Sequence, residues 1–422
     1  MFTIETNQNP FVVAGTARME AVLTITAPRD LAIPRGPSAF GLLLDVSGSM
    51  KGAVLDQAKV AAKRALELLD PETRFFVVAF QSEARVIAPL APATDANKEK
   101  AARAIQGLEA EGGTGMSAAL AAARREIARL EGARGHVLFL TDGKNAKEDQ
   151  DALRAELVRC SGVFQADCRG VGTDWEVPQL REIAEKLLGT AQIVPDASGL
   201  EKDFREAIER ALGQGISNVR VRLALPRSGQ VKLVLAKQMS PRILELAPEA
   251  APDEPCLLDL PLGAWAAGES RDVHVAFEMP AGKLRDEMLL ARPSVVFGRP
   301  EQVARGKPIL AAWTEAGDER SALLNSQVAH YTGQVELATS IQQGLALRAR
   351  GDVEQATVFL GRALAAARVS GNEQATLKLR EVVQENPDGT VKLRADVAKA
   401  KVMDLDLASV VTARAPRKAV LE

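Results

Sequence analysis

Between residues 38 and 213 the chain alternates two patterns. Unbroken apolar runs at 40–45, 74–80, 136–142, 163–171 and 191–194 predict strands buried on both faces. Between them, apolar residues recur every three or four positions at 53–69, 98–108, 116–130, 149–160, 179–188 and 200–212, which predicts amphipathic helices. Strands and helices in alternation predict a doubly wound α/β domain over 38–213, with a mostly parallel sheet and helices on both faces. The run 85–90 follows its neighbour after a short turn and is expected as an antiparallel edge strand.

The flanks read differently. Residues 1–37 carry strand signals at 11–13 and 21–26, followed by Pro28, Pro34 and Pro37. Residues 214–320 return to β: 219–225 alternates strictly, and 231–235, 256–260, 271–277 and 293–297 read similarly, with proline and glycine between them. This is the pattern of a β-sandwich. Segment 1–37 is too short to bury a core alone, so it is expected to join those strands, making the α/β domain an insertion. Residues 321–400 predict helices at 334–349, 353–369 and 373–384, with Gly351 ending the first and Asp352 capping the second. The stretch 344–364 resembles one tetratricopeptide-like hairpin, but one hairpin is not an array, and a three-helix bundle is the simpler expectation. Residues 390–422 read as one or two strands, with a basic tail over 401–422 that includes Arg414, Arg417 and Lys418.

Composition narrows the function. A chain of 422 residues that is 46% apolar supports two or three packed domains. The 53 basic and 55 acidic residues leave a net charge of −2, against a general nucleic-acid binder. No run is long and apolar enough to span a bilayer, and the first residues lack a basic segment followed by an apolar one. Three cysteines are not a disulfide framework. A cytoplasmic location, with no membrane partner, is the expectation.

The candidate chemistry lies where the strands end. Asp45 closes one run and is followed by Ser47 and Ser49; Asp142 closes another; Thr114 lies in Gly112-Gly113-Thr114-Gly115 just before a helix. In an open α/β sheet the loops at the carboxyl strand ends gather at one edge and form the ligand site. Hydroxyl and carboxylate oxygens suit a hard divalent cation, Mg²⁺ first, with Mn²⁺ or Ca²⁺ as alternatives. Asp-x-Ser-x-Ser, then Thr, then Asp, resembles the metal-ion-dependent adhesion site of von Willebrand factor type A domains. The resemblance covers 38–213, and the order of β segment, inserted domain, β segment and helices resembles a group of bacterial proteins with this domain. It implies that Ser47, Ser49 and Thr114 hold the ion directly or conditionally, that Asp45 and Asp142 act mainly through water, and that an open position accepts an Asp or Glu of a protein partner. It also implies that the helix at 200–212 transmits changes from the site. Met50, Gly113, Gly143, Asp174 and Trp175 are the expected partner-binding rim, with the alternative for Trp175, the commoner for a tryptophan there, that it packs under its loop.

Other motifs carry less. Cys160 and Cys168 lack Cys-x-x-Cys spacing or a nearby histidine and read as buried and reduced; Cys256 reads as core. None of His136, His274 and His330 adjoins the site in sequence, and His136 should lie roughly 20 Å away at the other end of its strand. The Gly112–Gly115 loop lacks the Gly-Lys-Ser/Thr ending of a nucleotide loop, and Gly170-Val171-Gly172 lacks the third glycine of a dinucleotide fingerprint. The expected function is an intracellular, non-enzymatic, metal-dependent protein-binding module. A metal-assisted phosphate or ester hydrolase, and a scaffold whose metal is purely structural, remain the alternatives.

Overall fold

The computed structural model describes residues 1–29, 38–130, 134–213, 215–251, 254–298, 301–316, 318–322, 325–386 and 391–415. Pro34, Pro37, Arg417 and Lys418, named above, lie outside them. The chain divides into two compact units, 33–217 and 1–32 with 218–422.

Three strands precede the α/β unit: β1 (Thr3–Asn7), β2 (Phe11–Val13) and β3 (Arg18–Thr26). The unit itself runs β4 (Ser38–Asp45), α1 (Ala53–Glu67), β5 (Arg74–Phe80), β6 (Ala84–Pro92), α2 (Asp95–Gln106), α3 (Met116–Ala128), β7 (Arg134–Thr141), α4 (Gln150–Cys160), β8 (Phe164–Val171), α5 (Val177–Lys186), β9 (Ala191–Val194) and α6 (Leu200–Gly213). Its sheet has the order β6-β5-β4-β7-β8-β9. All pairs are parallel except β5 with β6, which is the expected antiparallel edge.

The core of this unit follows from the strand pattern. Phe40, Leu42 and Leu44 point alternately from β4 to one face, where they meet Leu55, Ala58, Ala62 and Leu66 of α1 and Phe204 and Ile208 of α6. Each fully buried Leu or Phe contributes about 1.5–3 kcal/mol. On the other face, a Cβ at Gly41 would fall 2.3 Å from the Phe76 ring, so glycine is what lets that ring cross its neighbour strand.

The second unit continues with β10 (Ile216–Ala224), β11 (Lys232–Ser240), β12 (Leu244–Glu245), β13 (Glu249–Ala251), β14 (Glu254–Trp265), β15 (Ser270–Glu278), β16 (Glu287–Phe297), β17 (Gln302–Arg305) and β18 (Ile309–Thr314). A five-stranded antiparallel sheet has the order β1-β3-β15-β11-β12, and a seven-stranded sheet joins β13-β14-β10-β16-β18-β2, with β17 beside β16. The segment before the α/β unit therefore contributes strands to both sheets. The strands at 3–7, 302–305 and 309–314 carried no clear sequence signal.

The helices are α7 (Glu319–Ala322), α8 (Ser326–Ala349), α9 (Val353–Val369) and α10 (Glu373–Val382), then the hairpin β19 (Val383–Glu385) with β20 (Val391–Leu393), and α11 (Lys399–Ala408). The α8–α9 turn has Gly351 at φ 83° and Asp352 accepting from Gln355 N–H (3.1 Å). The α9–α10 turn repeats this chemistry, with Gly371 at φ 67° and Asn372 accepting from Ala375 N–H (3.0 Å). One of the expected strands beyond 390 is β20, but the tail expected over 401–422 needs correction, because α11 occupies 399–408. Its buried Met403, Leu405 and Leu407 fall at alternate positions, which imitates a strand. Among the described residues no helix is long and apolar enough to cross a membrane.

Candidate metal centre

Strand β4 ends on Asp45, which is fully buried. Its Oδ1 accepts from the Ser47 backbone N–H (2.8 Å) and its Oδ2 from Thr141 Oγ1 (2.5 Å) at the end of β7. A 3-10 turn, Gly48–Met50, then brings Ser49 round beside Ser47, with the two Oγ atoms 3.1 Å apart. Ser49 Oγ donates to Asp142 Oδ1 at 2.6 Å.

Backbone bonds set the Thr114 loop against this turn. Gly48 N–H donates to Gly112 O (3.0 Å) and Glu111 N–H to Val46 O (2.9 Å). Gly115 N–H donates to Gln81 O (2.6 Å), and Ala146 N–H to Thr114 O (2.8 Å). The convergence is measured at Gly143. A Cβ built there would lie 3.1 Å from Thr114 Oγ1, 3.4 Å from Ser49 Oγ and 3.9 Å from Ser47 Oγ. Three hydroxyls from two loops thus surround one small volume, bordered by Asp142 and backed by Asp45.

Electrostatics bear on what such a volume suits. Burial pushes Asp45 up to about 6; the bonds from Thr141 and Ser47 oppose this, and the charge of Asp142 adds to it. Burial likewise raises Asp142, opposed by Ser49 and helped by the nearby charge of Asp174. Among the described residues neither carboxylate has an ion-pair partner. Two buried carboxylates and three hydroxyls fit a hard dication, which would relieve the shared cost of burying negative charge. Ser47, Ser49 and Thr114 are the groups that would face such an ion, with Asp45 and Asp142 behind. Among the described residues no group of three or more His, Cys, Asp or Glu side chains is gathered as in a zinc centre.

The expected rim divides. Gly113 and Asp174 are exposed. Met50, Gly143 and Trp175 are buried, so these three offer no contact surface. The Gly48–Met50 turn rolls the Met50 side chain into the core beneath it. The Trp175 indole lies on Gly170, where a Cβ would fall 2.0 Å from the ring, and its Nε1–H donates to Gly172 O (3.1 Å).

Sequence reasoning missed three supports. Thr141 fixes Asp45; its signal was a hydroxyl residue closing an apolar strand. Asn145 Oδ1 accepts from Met116 N–H at the start of α3 (2.8 Å), and Asn145 N–H donates to Gln179 Oε1 (3.1 Å). Ser82 Oγ accepts from Gly113 N–H (3.2 Å). His136 lies apart from the site, 3.2 Å from Asp167 and stacked on Phe40. None of the three cysteines is in a disulfide; Cys160 and Cys168 are buried, but Cys256 is only half-buried, since it lies near the start of β14 rather than in the core.

Known proteins share this fold. Residues 40–193 match a family model of the von Willebrand factor type A domain, and 363–409 match a von Willebrand factor type A C-terminal domain. A von Willebrand factor type A protein of Catenulispora acidiphila is 36% identical and superposes with a TM-score of 0.91 over 98% of this chain and 97% of its own. The chain belongs to the von Willebrand factor type A family. VWA2, the ArnB paralog of Sulfolobus acidocaldarius, shares the fold at 12% identity, with a TM-score of 0.61 over 97% of this chain and 98% of its own. An uncharacterized protein of Synechocystis is 29% identical over 243 residues, 57% of either chain. The human inter-alpha-trypsin inhibitor heavy chain H4 is 29% identical over 176 residues, 38% of this chain and 19% of its own. The chain thus spans little more than half the length of the first of these two relatives and a fifth of the second.

Proposed function

We propose that this von Willebrand factor type A protein is a metal-dependent binding module that presents Mg²⁺, or Mn²⁺ or Ca²⁺ in its place, to an acidic side chain of a protein partner. The observation that carries this is the convergence of Ser47, Ser49 and Thr114 hydroxyls around Gly143, backed by Asp45 and Asp142. Neutral hydroxyls facing the ion leave most of its charge unquenched, which favours a further carboxylate. A single ion–carboxylate contact is weak in water, so the surrounding surface supplies most of the affinity. The module acts by binding, in the cytoplasm, where its three cysteines, none of them in a disulfide, stay reduced. The two β sheets of the other unit are read as the layers of a sandwich into which the α/β unit is inserted.

The test is retention of a partner from native lysate by the full chain in Mg²⁺, in EDTA, and by the Ser47→Ala/Ser49→Ala variant in Mg²⁺. Retention by the wild type in Mg²⁺ alone is expected. Retention in all three conditions would overturn the reading and move the binding surface elsewhere. Mg²⁺-dependent turnover of a phosphate ester that disappears in Asp45→Ala would replace it with the hydrolase.

A further inference from the structure

One ion pair stands at the edge of the site. Lys144 Nζ lies 3.2 Å from Glu176 Oε1, and both side chains are more than half exposed. Lys144 is two residues beyond Asp142, so their Cα atoms lie at most about 7.6 Å apart. Glu176 is on the neighbouring strand-end loop, next to the buried Trp175. With the indole turned inward onto Gly170, its two neighbours Asp174 and Glu176 face solvent. The Lys144 loop is tied to α5, which directly follows Glu176, by the Asn145 N–H to Gln179 Oε1 bond (3.1 Å). The pair therefore joins two anchored loops.

An acidic side chain approaching the ion meets Asp174 and Glu176, which repel it. Lys144 is the single basic residue within 142–146 and 172–176. It is already engaged, but exposed ion pairs are weakly held, because water solvates both members. A carboxylate from outside therefore competes with Glu176 for Lys144 at little cost.

Building on the metal-dependent reading, we propose that Lys144 is a second carboxylate-binding position of this surface. The partner is an acidic segment that gives one carboxylate to the cation and another to Lys144. Glu176 holds Lys144 until the partner displaces it. Selectivity then comes from the second contact: a lone acid gains the cation alone, whereas a pair of acids also gains Lys144.

The probe is a set of synthetic peptides with one fixed Asp and a Glu walked through the flanking positions, beside the same peptides with Gln. Binding to the full chain is read in Mg²⁺ and in EDTA. In Mg²⁺ the wild type is expected to favour the best two-acid peptide over its Gln counterpart by about 3–10-fold, with faster association that weakens with salt. Lys144→Ala is expected to erase that preference while keeping Mg²⁺-dependent binding of the one-acid peptide. Glu176→Gln is expected to tighten the two-acid peptide about 2–3-fold. A preference that survives Lys144→Ala, or a wild type indifferent to the second acid, would overturn the proposal. Absence of Mg²⁺-dependent binding to any peptide would instead bring down the metal-dependent reading on which it rests.

Discussion

Ser49 Oγ donates to Asp142 Oδ1 at 2.6 Å, joining residues 93 positions apart. The bond links a turn after β4 to the end of β7, which are neighbouring strands in the sheet. The hydroxyl thereby steadies a carboxylate that burial makes unwilling to ionise. Glycine at 143 leaves open the space that Ser47, Ser49 and Thr114 face. Gly143→Ala would put a methyl 3.1 Å from Thr114 Oγ1. The fold should survive, because the backbone there is not in a left-handed region. We expect Mg²⁺ to raise the Tm of the wild type by mass action, and most of that rise to be lost in Gly143→Ala, with unchanged far-UV circular dichroism. An equal Mg²⁺ shift in both proteins would move the ion away from this volume.

The cysteines should differ sharply in reactivity. Burial, with the neighbouring Glu156 charge, pushes the Cys160 thiol up to about 12. Cys168 is equally enclosed, on β8. Cys256 is half-buried. Native alkylation by iodoacetamide at pH 8, read by peptide mass, is expected to label Cys256 alone, with all three labelled in denaturant. Early native labelling of Cys160 would show that α4 opens readily.

Much of this was legible in the sequence. Each strand and helix of the α/β unit lies within a few residues of its apolar run, because strands buried on both faces leave an unmistakable signature. That Asp45, Ser47, Ser49, Thr114 and Asp142 come together was legible too, since carboxyl strand ends must gather at one edge. The rim was not. Whether Trp175 faces in or out depends on Gly170, five positions earlier on β8, and spacing says nothing about which side chain fills a missing Cβ. The role of Thr141 depends on a contact between neighbouring strands. The helix α11 was hidden by an alternating pattern whose burial comes from packing on α10 and α8.

Acid should weaken the second unit through Glu20. His274 Nε2 lies 3.0 Å from Glu20 Oε2 across β15 and β3, and this contact, opposed by burial, holds the Glu20 carboxyl down to about 2. A depressed carboxylate stabilises the fold fully above its unfolded pKa near 4.5, and the contribution fades as pH falls toward 2. Allowing for the partial exposure of Glu20, the stabilisation is about 1–2 kcal/mol. Glu20→Gln is therefore expected to lower urea stability at pH 7 by about that amount and by much less at pH 3. Equal losses at both pH values would assign the effect to packing.

The strongest test of the same unit uses its one tyrosine. Tyr331, on α8, is the only tyrosine in the chain and is fully buried. Its hydroxyl donates to Asp272 Oδ2 at 2.6 Å, and Thr24 Oγ1 donates to Asp272 Oδ1 at 2.6 Å. The Arg414 guanidinium lies 3.3 Å from the same carboxylate. Three distant segments thus meet on one buried acid. Burial and the Asp272 charge raise the Tyr331 phenol well above its ordinary value. A raised phenol stabilises the fold fully below pH 10, and the contribution disappears as pH climbs toward the folded value. Phenolate absorbance at 295 nm reports this residue alone, so in alkaline titration it should appear together with the loss of far-UV circular dichroism and not before. Tyr331→Phe, which leaves Asp272 short of a donor, is expected to lose about 1–3 kcal/mol. A phenolate signal near pH 10 in a still-folded protein would show that the hydroxyl reaches water and that Asp272 does not hold α8 to the sheet.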